Sequence, residues 1–146
     1  MSEHVEFEIG SIDGYRKLEA VTSALVMSKR TDDWKDEAFW LGYFDAAARS
    51  HFWWPTPDEL EDWQRRWFST PAITRFTDPS LKTPWIFDSM IDAFKNGDYE
   101  LLGCQKISDN IGRFEFAPHG YPYGGTGCMR ALIEAFDHRV LYEPDA

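Results

Sequence analysis

The hydrophobic spacing of this chain changes at Asn96-Gly97, and that change limits the folds open to it. From about residue 13 up to that point, apolar side chains recur every three or four residues, the spacing of one helix face. Beyond it they alternate with polar ones, the period of a half-buried strand. One earlier stretch, His4-Val5-Glu6-Phe7-Glu8-Ile9, also alternates. A regular parallel sheet would interleave strands and helices throughout. Helices grouped early and strands grouped late instead predict an α+β fold. With 146 residues and no linker-like tract, the expectation is a single domain over 1–146.

The predicted order is an N-terminal strand and four helices, then a β-hairpin, a fifth helix and a short last strand. The last four elements make a ββαβ C-terminal half. The first helix covers roughly 13–29, with Tyr15, Leu18, Leu25 and Val26 on its apolar face. Asp32 and Asp33 are read as opening a second helix that runs to about Ser50, since acids suit the positive end of the helix dipole. Thr56-Pro57-Asp58-Glu59 is the clearest local signal. Thr56 is placed to cap, Pro57 to occupy the first helical position and Glu59 to complete a capping box. Residues 71–83, with Pro71 and Pro79, read mostly as loop, and Thr83-Pro84 as the start of the fourth helix. Asn96-Gly97 is expected to stop that helix in a left-handed conformation. Tyr99 to Ile107 and Ile111 to Phe116 form the hairpin. Thr126 is expected to cap the fifth helix, and Arg139 to Glu143 to form the last strand. The first strand has two candidate neighbours, the hairpin and the last strand.

Charge narrows the function classes. The formal net charge is −10, and the acidic excess is spread along the chain rather than held in a tail. Such a surface repels phosphate backbones and argues against direct nucleic-acid binding. It suits a basic protein partner, although a negative surface also serves solubility alone. The two cysteines, Cys104 and Cys128, have no CxxC spacing and make no disulfide framework. The N-terminus lacks the basic and apolar regions of a signal peptide, and no apolar run is long enough to span a bilayer. A cytoplasmic protein with reduced thiols is the expectation.

The most distinctive stretch runs from Pro118 to Cys128 and holds His119, Tyr121, Tyr123, Gly124, Gly125, Thr126 and Gly127. A glycine-rich turn entering a helix presents bare N–H groups that can hold an anion. Arg130 stands where a dinucleotide fingerprint needs glycine, and no Lys-Ser/Thr follows, so neither the dinucleotide motif nor the Walker motif is present. The simpler reading is a tight path between strand and helix, with tyrosines covering the core. Cys128, in the first turn of the fifth helix, would have a lowered thiol pKa there, and His119 would be its base. The plainer reading makes Cys128 a small buried hydrophobe. His4, His51, His119 and His138 show no helical i, i+4 metal pairing, so no metal and no cofactor is expected. Trp53 and Trp54 precede a proline and point apart, so one of them is a candidate exposed anchor.

Three function classes follow. The first is an acidic protein-binding module, of the immunity, antitoxin or inhibitor kind, that masks a basic partner. The second is an enzyme or small-ligand binder using the His119–Cys128 loop. The third is a structural component, for instance a homodimer. The sequence favours the first, and a non-enzyme over an enzyme.

Overall fold

A computed structural model describes residues 1–144. Four strands form one antiparallel sheet: β1 (Glu3–Glu8), β2 (Tyr99–Lys106), β3 (Ile111–Pro118) and β4 (Arg139–Tyr142). Their order is β2-β3-β1-β4, so β1 pairs on both sides, with β3 and with β4. Both neighbours that the sequence offered for the first strand are therefore used. With α1 (Ile12–Thr31) after β1 and α7 (Gly127–Ala135) after β3, the connectivity is a split βαβ sandwich. Residues 32–98 are a long insertion between α1 and β2. The fold is α+β, as the spacing predicted.

Period-two alternation builds the core. Val5 and Phe7, Tyr99 and Leu101, and Phe114 and Phe116 turn to one face and are buried. Against them pack Leu18, Val21 and Leu25 of α1, and Met129, Leu132 and Ile133 of α7. Each fully buried side chain of this size contributes about 1.5–3 kcal/mol relative to exposure. Most alternate positions carry polar residues on the other face, including an Arg113–Glu6 ion pair at 3.2 Å.

The insertion divides into an inner and an outer part. Its last helix, α6 (Phe87–Asn96), belongs to the core, with Phe87, Met90, Ile91 and Phe94 buried. The part between, residues 53–86, lies outside it. Leu81 is the one fully buried residue there. The outer part holds α4 (Pro57–Ser69), α5 (Ala72–Arg75) and a 3-10 turn at Pro79–Leu81. Its two ends are clipped together. The Trp53 N–H donates to the Trp85 carbonyl at 2.9 Å, and Trp53 and Ile86 form an isolated parallel bridge.

The capping box at α4 forms as the sequence predicted. Thr56 Oγ1 accepts from the Glu59 N–H at 3.2 Å, and Glu59 Oε1 accepts from the Thr56 N–H at 3.1 Å. Six local expectations need correction. Asp32 closes α1 in a left-handed conformation, φ 52°, instead of opening the next helix. In place of one helix to Ser50 there are two short ones, α2 (Glu37–Leu41) and α3 (Ala46–Arg49). Asp36 and Asp45 accept from the N–H groups of Phe39 and Ala48, so each starts a helix and interrupts a longer one. Residues 71–83 are less of a loop than expected, because α5 and the 3-10 turn lie within them. Thr83-Pro84 does not start a helix. The clip to Trp53 holds residues up to Ile86 extended, and α6 begins at Phe87. Gly97 is not left-handed, at φ −64° and ψ 139°. A Cβ there would lie 2.2 Å from the Tyr99 ring, so the position is small because the ring is close. Thr126 precedes α7, but its hydroxyl donates to Glu143 at 2.8 Å and caps nothing.

Candidate functional site

Two regions gather the candidate residues. The first surrounds the glycine-rich loop. That loop is stitched to Asp98: the Asp98 N–H donates to the Tyr123 carbonyl, and the His119 N–H donates to the Asp98 carbonyl, both at 3.0 Å. Gly124 and Gly125 take φ of 106° and 80°, the left-handed region that favours glycine. The Tyr121–Pro122 peptide is cis. Tyr123 is buried against Tyr99 and Phe116, while Tyr121 is exposed and donates to Glu3 at 3.1 Å. Gly127 lies under the Trp85 ring, 3.1 Å from where a Cβ would stand. Of the loop's two tyrosines, Tyr123 covers the core and Tyr121 stands in solvent.

The structure does not assemble a thiol site from His119 and Cys128. The exposed His119 ring faces Asp98, Nδ1 to Oδ1 3.2 Å. Cys128 is buried, with Sγ 3.4 Å from the Tyr99 hydroxyl. Burial pushes its thiol up, more than the Tyr99 hydrogen bond and the helix N–H groups pull it down. The expected lowering fails because desolvation disfavours a thiolate. Cys104 is likewise pushed up, to about 12, by burial.

Beside the loop is a cleft of about 390 Å³ lined by Lys29, Arg30, Gly97, Tyr99, Glu100 and His119. Lys29 donates to the carbonyls of Phe94 and Gly97, at 2.7 and 2.9 Å, and so closes the end of α6. Its ammonium lies 4.6 Å from the Tyr99 ring centroid. Burial holds its pKa below the ordinary lysine value. Sequence reasoning did not single out Lys29, which lies at the end of the predicted first helix. No group of three or more metal-ligating side chains is present among the described residues. No helix among them is long and apolar enough to cross a membrane.

The second region is the outer aromatic face of residues 53–86. Trp53, Trp63, Trp67 and Phe76 form a continuous row, with centroids 6.2, 5.3 and 5.1 Å apart. The Arg75 guanidinium lies over the Trp67 ring at 5.2 Å. Trp63 Nε1 donates to the Leu81 carbonyl at 2.9 Å, tying α4 to the 3-10 turn. Trp53 is half-buried in this row. Trp54 is 46% exposed, with its ring on Phe87 and its N–H donating to the Arg49 carbonyl. At the end of the row Phe68, Ile73 and Phe76 are 74%, 90% and 78% exposed. Sequence reasoning missed these three. For Ile73 and Phe76 the available signal was apolar residues beyond the Pro71 stop that belong to no stripe, and for Phe68 an apolar residue off the Leu60–Trp63–Trp67 stripe.

Neither the family models, nor the curated proteins, nor the solved structures compared with this chain give a match.

Proposed function

We propose that this chain is a protein-binding module whose contact surface is the outer aromatic face of residues 53–86, and that it masks a basic partner in the manner of an immunity, antitoxin or inhibitor protein. One observation carries the reading. Phe68, Ile73 and Phe76 stand largely in solvent on a segment that lies outside the core and holds one fully buried residue, Leu81. Exposing three neighbouring large apolar side chains is costly for a free protein and marks an interaction surface. Tryptophan and other aromatic anchors dominate binding energy at such surfaces. The net charge of −10 supplies the long-range attraction to a basic partner.

The test is affinity capture on the immobilised chain at low ionic strength, with elution by rising salt. The same capture is run on the triple variant Phe68→Ser, Ile73→Ser, Phe76→Ser. One stoichiometric basic protein, held by the wild type and lost by the variant, supports the reading. Retention of no protein at low salt, or equal retention by the variant, refutes it. Sedimentation of the wild type separates a hetero-partner from a second copy of the chain.

The Lys29–His119 cleft favours a second reading, a binder of small charged ligands. It juxtaposes two cations, Lys29 and Arg30, with Glu100 and the Asp98-bound His119. A rise in melting temperature with inorganic phosphate or small carboxylates, lost in Arg30→Gln, would support it. An unchanged melting temperature would remove it.

A further inference from the structure

Beneath the aromatic row lies a groove of about 260 Å³, between α4 and the extended segment that leads into α6. Trp53, Leu60, Trp63, Pro84, Trp85 and Ile86 make most of its wall. None of its lining side chains is charged. Three indoles thus face a space that holds no cation of the chain's own. Trp85 is exposed on the groove side and rests on Gly127 on the other. Among the described residues it packs on no other aromatic ring, so its π face is available.

The turns of α4 that supply Leu60 and Trp63 also carry Asp58, Glu59, Glu61 and Asp62, all exposed. Arg65, Arg66 (bound to Asp62 at 3.3 Å) and Lys82 beside Thr83 offset three of these four charges. Open indole faces beside a helix whose other faces are acidic form an environment in which a cation gains from the ring quadrupole. A planar guanidinium also stacks on an indole, which an ammonium cannot do. The row already holds one such pair in the chain's own Arg75 over Trp67.

We infer that this groove is an arginine pocket, which takes the guanidinium of a partner side chain between Trp85 and the Trp53–Trp63 pair. The inference rests on the protein-binding reading and deepens it, by naming the side chain through which a basic partner is read. It predicts that the Trp53, Trp63 and Trp85 indole N–H signals respond together to a free arginine head group.

The probe is N-acetyl-argininamide, titrated into the full chain with ¹⁵N-labelled tryptophan. Its neutral isostere N-acetyl-citrullinamide is the control. Saturable shifts of the Trp85 and Trp53 signals are expected, with argininamide binding about 2- to 30-fold tighter than citrullinamide. Trp85→Ala should abolish the response, and Trp85→Phe should keep part of it while preserving the spectrum of the core. Equal response to both probes overturns the inference, because the groove is then simply apolar. Shifts elsewhere with none at Trp85 also overturn it, because the cation then associates with the acidic surface. The protein-binding reading fails separately. A captured basic partner that excess argininamide does not displace, and that Trp85→Ala still holds, removes the arginine pocket and leaves the module intact. Argininamide binding without any captured protein keeps the pocket and removes the module.

Discussion

Gly14 sets helix propensity against packing, and the structure says which wins. It is a buried residue in the first turn of α1. In an open helix, Gly→Ala stabilises by about 1 kcal/mol. Here a Cβ would lie 2.4 Å from the Phe136 carbonyl oxygen and 3.3 Å from His138 Cε1. Ordinary carbon–oxygen contacts are about 3.3 Å or longer, so the start of α1 must move by roughly 1 Å from the corner between α7 and β4. Overpacking of this kind costs about 1–3 kcal/mol. The same movement stretches the bond from the Gly10 N–H to His138 Nδ1, now 3.0 Å, whose loss costs about 1 kcal/mol. The net expectation for Gly14→Ala is a loss of about 2 kcal/mol, seen as a melting temperature about 4–8 °C lower. Urea unfolding at an unchanged m-value measures it. Gly120→Ala is the control, since its Cβ would meet nothing nearer than Asp98 Oδ2 at 3.8 Å. That variant should stay within about 0.5 kcal/mol of wild type. A Gly14→Ala protein as stable as wild type, or more so, would show that the corner yields and that propensity decides.

Thr56→Ala removes one half of the capping box and should cost about 1 kcal/mol. Because α4 buries no residue completely, the loss should appear as faster hydrogen exchange within 57–69, with little change in the core strands. His138 is buried, accepts from Gly10 and has its pKa lowered, first by desolvation. Its unfolded counterpart takes up a proton near pH 6.5 while the folded ring resists it, so the unfolded state binds more protons just below that pH. Stability should therefore fall as pH drops below about 6.5 and level off once the folded ring is protonated, and His138→Asn should flatten that slope in pH-dependent unfolding. Cys128 should alkylate slowly at neutral pH, at a rate limited by opening of the structure. Rapid labelling of the native protein would contradict its burial and raised pKa.

What was legible in the sequence was chemistry completed within a few residues. The Thr56 box carries donor, acceptor and proline inside four positions, and it forms as read. The alternation of Phe114 and Phe116 with Arg113 and Glu115 likewise fixes which side of β3 enters the core. Features that depend on distant partners were not legible. Four acids from Asp32 to Glu37 look alike, and only the path of the chain makes Asp32 a stop and Asp36 a start. Thr83-Pro84 has the composition of a helix start, but Trp53, thirty-odd residues earlier, holds the following residues extended. Of the candidate site residues, Trp53 is half-buried in the aromatic row, whereas Trp54 is partly exposed and packs on Phe87. His119 and Cys128, near in sequence, face different neighbours because Asp98 and Tyr99 arrive from another element.

The central position of β1 also bears on how the protein is made. Its ladder partners are residues 111–118 and 139–142, more than a hundred residues downstream. At ordinary translation speeds of about 5–20 residues per second, β1 waits roughly 5–20 s for its first partner to be synthesised. Helix α1 can form meanwhile, but the sheet it must cover does not yet exist. Val5 and Phe7 therefore have no ladder partner until β3 is made, and β1 is paired on both sides only once β4 follows. The acidic residues that alternate with them, Glu6 and Glu8, disfavour pairing of this waiting strand with its own copies on neighbouring nascent chains.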